Sequence, residues 1–265
     1  MSVLSLIRTR LQQGNKTTGF PDAPAKLPER FRGRPQLDDK RCTAAGGCTE
    51  CVAACPTGAI ALTPLRLDLG RCTFCGACQD ACSTEAIRFL PDVRLAARTR
   101  QALVVGSSEE ALATSLDDKM RSLFGRSLRL RQVSAGGCNG CEAELIAAGN
   151  VVFDMGRFGV QFVASPRHAD GIVITGPVSR NMERALRDTY AAVPSPRLVI
   201  AVGACAISGG PFIDADHGQN GVPKDLPVDL YLAGCPPHPL TILDGLLRLL
   251  GRIQDPGLPA RPGVL

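Results

Sequence analysis

The sequence predicts an α/β chain in two unequal parts: a small cysteine-rich α+β unit, then a larger unit built on a parallel sheet. Three observations carry that expectation. Eight of the twelve cysteines fall between residues 42 and 82, in two similar runs. From residue 128 onward, short apolar runs rich in β-branched residues alternate with helix-like segments, the pattern of a parallel sheet covered on both faces. Apolar residues make up 45% of the 265, enough for a substantial core.

Taken in order, residues 1–40 read as an amphipathic helix and an extended partner-wrapping segment. Val3, Leu4, Ile7 and Leu11 fall on one helical face, flanked by Arg8 and Arg10, with Ser5, Thr9 and Gln12 opposite. Such a helix can lie on an anionic membrane surface, dock to a membrane subunit, or pack on its own domain. The stretch that follows is proline-rich. Residues 41–90 hold the two cysteine runs. Residues 91–127 lack cysteine and read as a connector: a short strand or buried run at "RQALVV", then an amphipathic helix that "SSEE" would start. "VVGSS" lacks the spaced glycines and the Lys-Ser/Thr of a phosphate loop. Residues 128–265 form the sheet unit. Its expected strands are 128–133, 160–164, 171–175, 197–202 and 229–233, and its expected helices 141–149, 179–193 and 240–253.

Composition excludes several classes. Aromatic residues are 4% with no tryptophan, against a stacking surface for single strands. The formal charge of +5 comes from scattered basic residues, so no nucleic-acid partner is expected. No apolar run is long enough to span a bilayer. "MSVLSLIRTRLQQG" is too short and too broken by arginine for a secretory signal, and it has no Arg-Arg pair. The expectation is a cytoplasmic chain whose cysteines bind metal instead of pairing.

The first run, "CTAAGGCTECVAACP", holds Cys42, Cys48, Cys51 and Cys55; the second, "CTFCGACQDACS", holds Cys72, Cys75, Cys78 and Cys82. Both contain C-x2-C-x3-C and run into "PTGAIAL" and "STEAIRF", an internal repeat of about thirty residues. Small residues (Gly76, Ala77, Ala53, Ala54) let sulfurs converge and let the backbone approach an inorganic core. The second copy has the full C-x2-C-x2-C-x3-C run of bacterial ferredoxins, and the segment resembles a two-cluster ferredoxin domain. That resemblance implies one [4Fe–4S] cluster on Cys42, Cys48, Cys51 and Cys82, and another on Cys72, Cys75, Cys78 and Cys55. Two departures stand out. Five residues separate Cys42 from Cys48 where the pattern has two, so "AAG" must bulge if Cys42 is to reach; and Ser83 replaces the usual proline. Two structural zinc sites are the alternative.

Cys138, Cys141, Cys205 and Cys235 remain. Cys138, Cys205 and Cys235 each follow an expected strand in a glycine-containing loop, and open α/β sheets gather ligands at the carboxyl ends of strands. The bland reading makes Cys205 a small buried residue and Cys235 a turn cysteine. "GGCNGCEAE", "FGVQFVASPRHAD", "ITGPVSRNM", "GACAISGG" and "GCPPHP" resemble the small subunit of membrane-bound [NiFe] hydrogenases related to respiratory complex I, of the formate hydrogenlyase type, over residues 128–252. The complex I counterpart carries two adjacent cysteines where Asn139 and Gly140 here separate Cys138 from Cys141. "GFPDAPAKLPERFRGRPQLD" is similar to the lead-in of the two-cluster subunit of such complexes, so the chain resembles a fusion of two neighbouring subunits.

The resemblance implies a flavodoxin-like doubly wound sheet domain and a proximal [4Fe–4S] cluster on Cys138, Cys141, Cys205 and Cys235, making three clusters in all. It also implies a partner large subunit with the [NiFe] site, membrane-arm subunits, an electron-donating subunit or ferredoxin, and a peripheral place on the inner face of the cell membrane. With all twelve cysteines assigned, the substrate site is expected in a partner chain, and no catalytic residue in this one. A role for Glu144 in proton movement or in the cluster's surroundings is implied by the family, although carboxylates near helix starts also serve the helix dipole. His168 and His238 could donate to a cluster sulfur, pair with the partner, or be structural; His217 reads as a surface residue. Pro236 and Pro237 would stiffen the loop presenting Cys235. The competing reading is the same electron path in a quinone-reducing or nickel-less complex, and the third a zinc-stabilised scaffold.

Overall fold

The computed structural model describes residues 2–23, 26–106, 118–124 and 127–253. Helix α1 (Val3–Gln13) opens the chain, with Ser2 as its N-cap accepting from Leu4 N–H and every side chain outside the core. The cysteine-rich unit then repeats one β-α-β pattern: β1 (Pro35–Leu37), α2 (Glu50–Ala53) and β2 (Ile60–Leu62), then β3 (Leu65–Asp68), α3 (Ala77–Asp80) and β4 (Ile87–Phe89). β1 pairs antiparallel with β4, and β2 with β3. Each copy therefore takes its strand partners from the other.

Two short strands follow, β5 (Ala96–Ala97) and β6 (Val104–Val105), and then α4 (Asp118–Phe124). The expected helix start at "SSEE" lies outside the described residues. The larger unit runs β7 (Leu128–Ser134), α5 (Gly140–Ala148), β8 (Val160–Phe162), β9 (Gly171–Thr175), α6 (Arg180–Ala192), β10 (Leu198–Val202), α7 (Gly203–Ser208), β11 (Leu230–Leu232) and α8 (Pro239–Leu249). Its six-stranded sheet has the order β5-β11-β10-β9-β7-β8. β7 to β11 are mutually parallel where they pair, and β5 adds an antiparallel edge beside β11. Numbered within this unit, the parallel strands lie 2-1-3-4-5. The sequence reading missed the antiparallel edge because "AA" carries no strand signal. It also placed Cys205 in a loop, whereas Cys205 sits on α7, a helix of six residues too short to show a period.

Alternation along the strands splits the core between the sheet's two faces. Leu128, Leu130, Val173, Leu198, Ile200, Leu230 and Leu232 share one face with α5 and α8. Ile172, Ile174 and Val199 point to the other, beside Leu186 of α6. Ala201 and Ala233 join the core of the cysteine-rich unit, with Leu67, Leu69, Leu103 and Ile207. The small unit thus packs on the sheet face that α6 covers only in part. The segment read as a connector supplies a strand to each side: β5 to the large sheet, β6 to β3. The proline-rich stretch wraps this chain itself. Phe20 and Leu27 pack on the α8 core, and Thr18 N–H donates to Val152 O at 2.8 Å.

All of α8 is buried, including Asp244 and Arg248, which pair at 2.8 Å. Removing one partner leaves a buried charge, at a cost of about 3–5 kcal/mol. Arg248→Met is therefore expected to lower the unfolding midpoint of the full chain in urea sharply. Asp244→Leu with Arg248→Met should recover most of the loss.

Candidate metal centres

The repeat places its sulfurs around two hollows. Cys42, Cys48, Cys51 and Cys82 line the first, an open-sided space of about 350 Å³ that Leu62, Leu65 and Ile87 help to wall. Cys55, Cys72, Cys75 and Cys78 line the second, about 280 Å³, with Ile60, Leu67 and Phe89. The last cysteine of each copy thus faces the first three of the other. The longer Cys42–Cys48 interval is absorbed locally: Ala44–Gly46 form a single 3-10 turn, and Cys42 stays on the hollow's wall.

Both last cysteines are held alike. The Cys55 sulfur accepts from Ala59 N–H at 3.2 Å, and the Cys82 sulfur from Ala86 N–H at 3.3 Å. Each also shares a hydrogen bond with the threonine two residues on, Cys55 with Thr57 at 3.9 Å and Cys82 with Thr84 at 3.6 Å.

The third set is assembled from distant chain. Cys138 and Cys141 follow β7, at the start of α5; Cys205 follows β10; Cys235 follows β11. These are carboxyl ends of parallel strands, so the loops share one sheet edge. Two close approaches need glycine. A Cβ on Gly203, where φ is +86°, would sit 2.5 Å from the Cys141 sulfur. One on Gly176 would sit 2.5 Å from Gly137 N, so the loop carrying Cys138 passes directly over the end of β9.

The chemistry of these groups fits a cationic inorganic core. Burial, and then neighbouring sulfurs, push the Cys72 thiol up to about 12 and Cys78 to about 11. Burial and the Cys235 and Cys138 sulfurs push Cys205 to about 11; Cys141, among all three partners, is pushed further still. Four thiolates cannot share such a place unless positive charge compensates them. Cys82 differs: burial raises it, but the Thr84 hydroxyl and backbone N–H groups outweigh that and hold it below the usual thiol range. Among the described residues no three His, Cys, Asp or Glu groups converge closely enough for a single metal ion.

Beside the third set lies a carboxylate that the sequence reading passed over. Glu142 is 5% exposed, and its Oε1 accepts from the Ser134 and Thr175 hydroxyls, both at 2.6 Å. Ser134 and Thr175 are register partners at the ends of β7 and β9. Burial raises the Glu142 carboxyl, but those two bonds more than offset it and keep it below the usual range. The available signal was two hydroxyl residues closing adjacent strands. Glu144, the acid singled out from sequence, is half-buried on α5, with its carboxyl raised by burial.

The three histidines sit in three different settings. His168 precedes β9 and so lies at the opposite sheet edge from the third set, which removes it as a donor there. His217 is exposed in a loop. His238 caps α8: its Nδ1 accepts from Leu240 N–H at 3.2 Å, and its ring meets the edges of Phe31 and Phe153 at 5.3 and 5.6 Å. Burial lowers its imidazole below the usual histidine range.

One contact ties the second hollow to the third set. The buried Ser208 hydroxyl donates to Gly70 O at 2.8 Å, joining the chain two residues before Cys72 to the helix that carries Cys205. Arg100 grips Asp68 beside it with two bonds, at 2.8 and 2.6 Å.

Comparison with known proteins follows the same division. The family model described as the NADH ubiquinone oxidoreductase 20 kDa subunit matches residues 138–249, which include all four cysteines of the third set. The 4Fe-4S binding domain matches residues 65–88, which include the second cysteine run. Formate hydrogenlyase subunit 7 of Escherichia coli is 39% identical over 163 residues, 62% of each chain, so this chain spans less than two thirds of that relative. A probable membrane-bound hydrogenase subunit of Pyrococcus furiosus is 40% identical over 130 residues, 49% of this chain and 78% of the relative. An NADH-quinone oxidoreductase subunit of Heliobacterium modesticaldum is 46% identical over 117 residues, 44% of this chain and 67% of the relative.

Gly203→Ala is expected to force the Cys141 sulfur aside and strain the backbone. Total iron and sulfide per chain should fall in part and not to zero, as read by iron and sulfide analysis. Gly46→Ala, which meets open space, is the control.

Proposed function

The chain belongs to the family of the 20 kDa subunit of NADH ubiquinone oxidoreductase, and from that premise we propose that it is the electron-transfer subunit of a membrane-bound hydrogenase complex. In this reading residues 41–90 and 128–265 are two neighbouring subunits fused, the second with the flavodoxin-like doubly wound arrangement that its strand order supports. Cys42, Cys48, Cys51 and Cys82 hold one [4Fe–4S] cluster, Cys72, Cys75, Cys78 and Cys55 a second, and Cys138, Cys141, Cys205 and Cys235 the proximal third. The observation that carries the reading is that twelve sulfurs form three sets of four within one continuous frame.

When bound, such clusters take up and release single electrons. This chain's own residues hold the sulfurs and fix their spacing. Leu62, Leu65 and Ile87, and Ile60, Leu67 and Phe89, supply apolar walls. Ser208 holds the second set against the third, and Arg100 braces Asp68 beside that contact. The electron donor is a formate dehydrogenase module or a ferredoxin, and the acceptor the [NiFe] site of a partner large subunit. Oxidoreductase chemistry at substrate belongs to that partner.

A second reading, the same path in a quinone-reducing or nickel-less complex, is favoured by the 46% identity to a quinone oxidoreductase subunit. The spacing of Cys138 and Cys141 favours the hydrogenase. Among the described residues no helix is long and apolar enough to cross a membrane. Contact with the membrane arm falls to α1, which exposes Val3, Leu4, Ile7 and Leu11 beside Arg8 and Arg10 and has no acidic residue.

The deciding experiment is anaerobic purification of the complex through a tag on this chain, with iron, sulfide, zinc and nickel counted and hydrogen evolution assayed. About twelve irons from this chain, with nickel and hydrogen evolution, support the hydrogenase. Iron without nickel or hydrogen moves the assignment to the second reading, and zinc in place of iron overturns both. Cys82→Ser should remove the cluster of the first hollow, and Cys55→Ser that of the second. Ile7→Glu with Leu11→Glu should shift the complex from the membrane pellet to the supernatant.

A further inference from the structure

The two threonine–sulfur contacts recur at the same place in both copies of the repeat. Thr57 follows Cys55 by two residues and Thr84 follows Cys82 by two, although the residues between and after differ: Pro56 and Gly58 in one copy, Ser83 and Glu85 in the other. The hydroxyl, the intervening backbone and the N–H at the fourth residue on, Ala59 or Ala86, form one unit wrapped around one sulfur. Thr57 lines the second hollow and Thr84 the first, so each hydroxyl sits on the wall of the space its sulfur faces. A thiolate bound to metal has no proton to give, so the hydroxyl must donate.

We propose that Thr57 and Thr84 are positioning residues that set the reduction potentials of the two ferredoxin-like sites, each acting on the site held mainly by the other copy of the repeat. The inference rests on the cluster assignment proposed above. Its physical basis is that reduction adds negative charge to the site, and part of that charge resides on the cysteine sulfurs. A hydrogen bond donated to sulfur stabilises the reduced form more than the oxidised one, and so raises the potential. Thr57 is 7% exposed, so its bond acts with little screening by water. The Thr84 contact is the shorter of the two.

The crossing makes the effect addressable. Because Cys55 turns to the second hollow, Thr57 acts on the set Cys72, Cys75 and Cys78; because Cys82 turns to the first, Thr84 acts on Cys42, Cys48 and Cys51. Neither assignment could be made from the nearest cysteines in sequence, which would give the opposite pairing.

The test uses the full complex, purified anaerobically, with Thr→Val, Thr→Ala and Thr→Ser variants at each position. Midpoint potentials are read by redox titration followed by electron paramagnetic resonance, after iron and sulfide counts. Thr57→Val and Thr57→Ala are expected to lower the potential of the second site and leave the first in place, and the Thr84 variants to do the converse. Serine variants, which keep a hydroxyl, should stay near the wild-type values. A tenfold loss of preference for the reduced form would read as a 59 mV shift for one electron. Full iron with unmoved potentials overturns the inference, as does a shift at the wrong site or at both equally. Loss of a cluster from both the valine and alanine variants also overturns it, since the hydroxyl would then serve assembly. Wild-type protein without iron and sulfide would refute the cluster assignment itself, an outcome distinct from all of these.

Discussion

The structure depends on bringing four sulfur atoms to one place, where four thiolates repel one another unless positive charge compensates them. Burial, and then neighbouring sulfurs, raise the thiols of Cys72, Cys78 and Cys205 when no metal is bound. A frame that holds them so must be paid for elsewhere, by apolar packing and by hydrogen bonds. In the sheet unit the frame is the strand register. β7, β9, β10 and β11 end together, and the loops after β7, β10 and β11 carry the cysteines. Glu142 reinforces that edge by joining the ends of β7 and β9 through Ser134 and Thr175. A slip of one residue in either strand would turn a hydroxyl to the other face.

The same demand explains how the two units are joined. The cysteine-rich unit packs on the β10 and β11 side of the sheet, through Ala201, Ala233 and Ile207, instead of hanging from a linker. Strands β5 and β6 then tie the first part of the intervening chain to both units, β5 to the large sheet and β6 to β3. Ser208 places its hydroxyl on Gly70 O between Cys72 and Cys205. Any change in the angle between the units would break this bond and open the Ile207 contact at Gly70. The spacing of the second and third sets is therefore a property of packed surfaces, which are rigid.

Much of this was legible in the sequence. "GIVIT" and "LVIAV" are continuous apolar runs because both faces of β9 and β10 are covered. The internal repeat was also readable, and its one long interval is absorbed in the turn Ala44–Gly46. What escaped were features decided by tertiary neighbours. α7 has six residues and every one is buried, so no amphipathic period marks it. β5 is two alanines recruited by the free edge of β11. His168 sits near strand text in the sequence, but at the amino end of β9, and only the chain direction excludes it from the sulfur edge. Glu142 and Glu144 are indistinguishable as letters; the hydroxyls of Ser134 and Thr175 distinguish them in space.

The interlocked repeat has its own logic. Its strands are three or four residues long and its two helices four, too little regular structure to stabilise a unit of this size alone. Domains this small usually need metals, cross-links or a partner surface. Here β1 takes its partner from the second copy and β3 from the first, while Cys55 and Cys82 face the other copy's hollow. Neither copy can complete its sheet or its sulfur set alone, so pairing of strands and convergence of sulfurs become one event. Leu67, Leu69 and Leu103 extend the shared core to the large sheet. The stability of the small unit is thereby tied to the sheet that carries the third set.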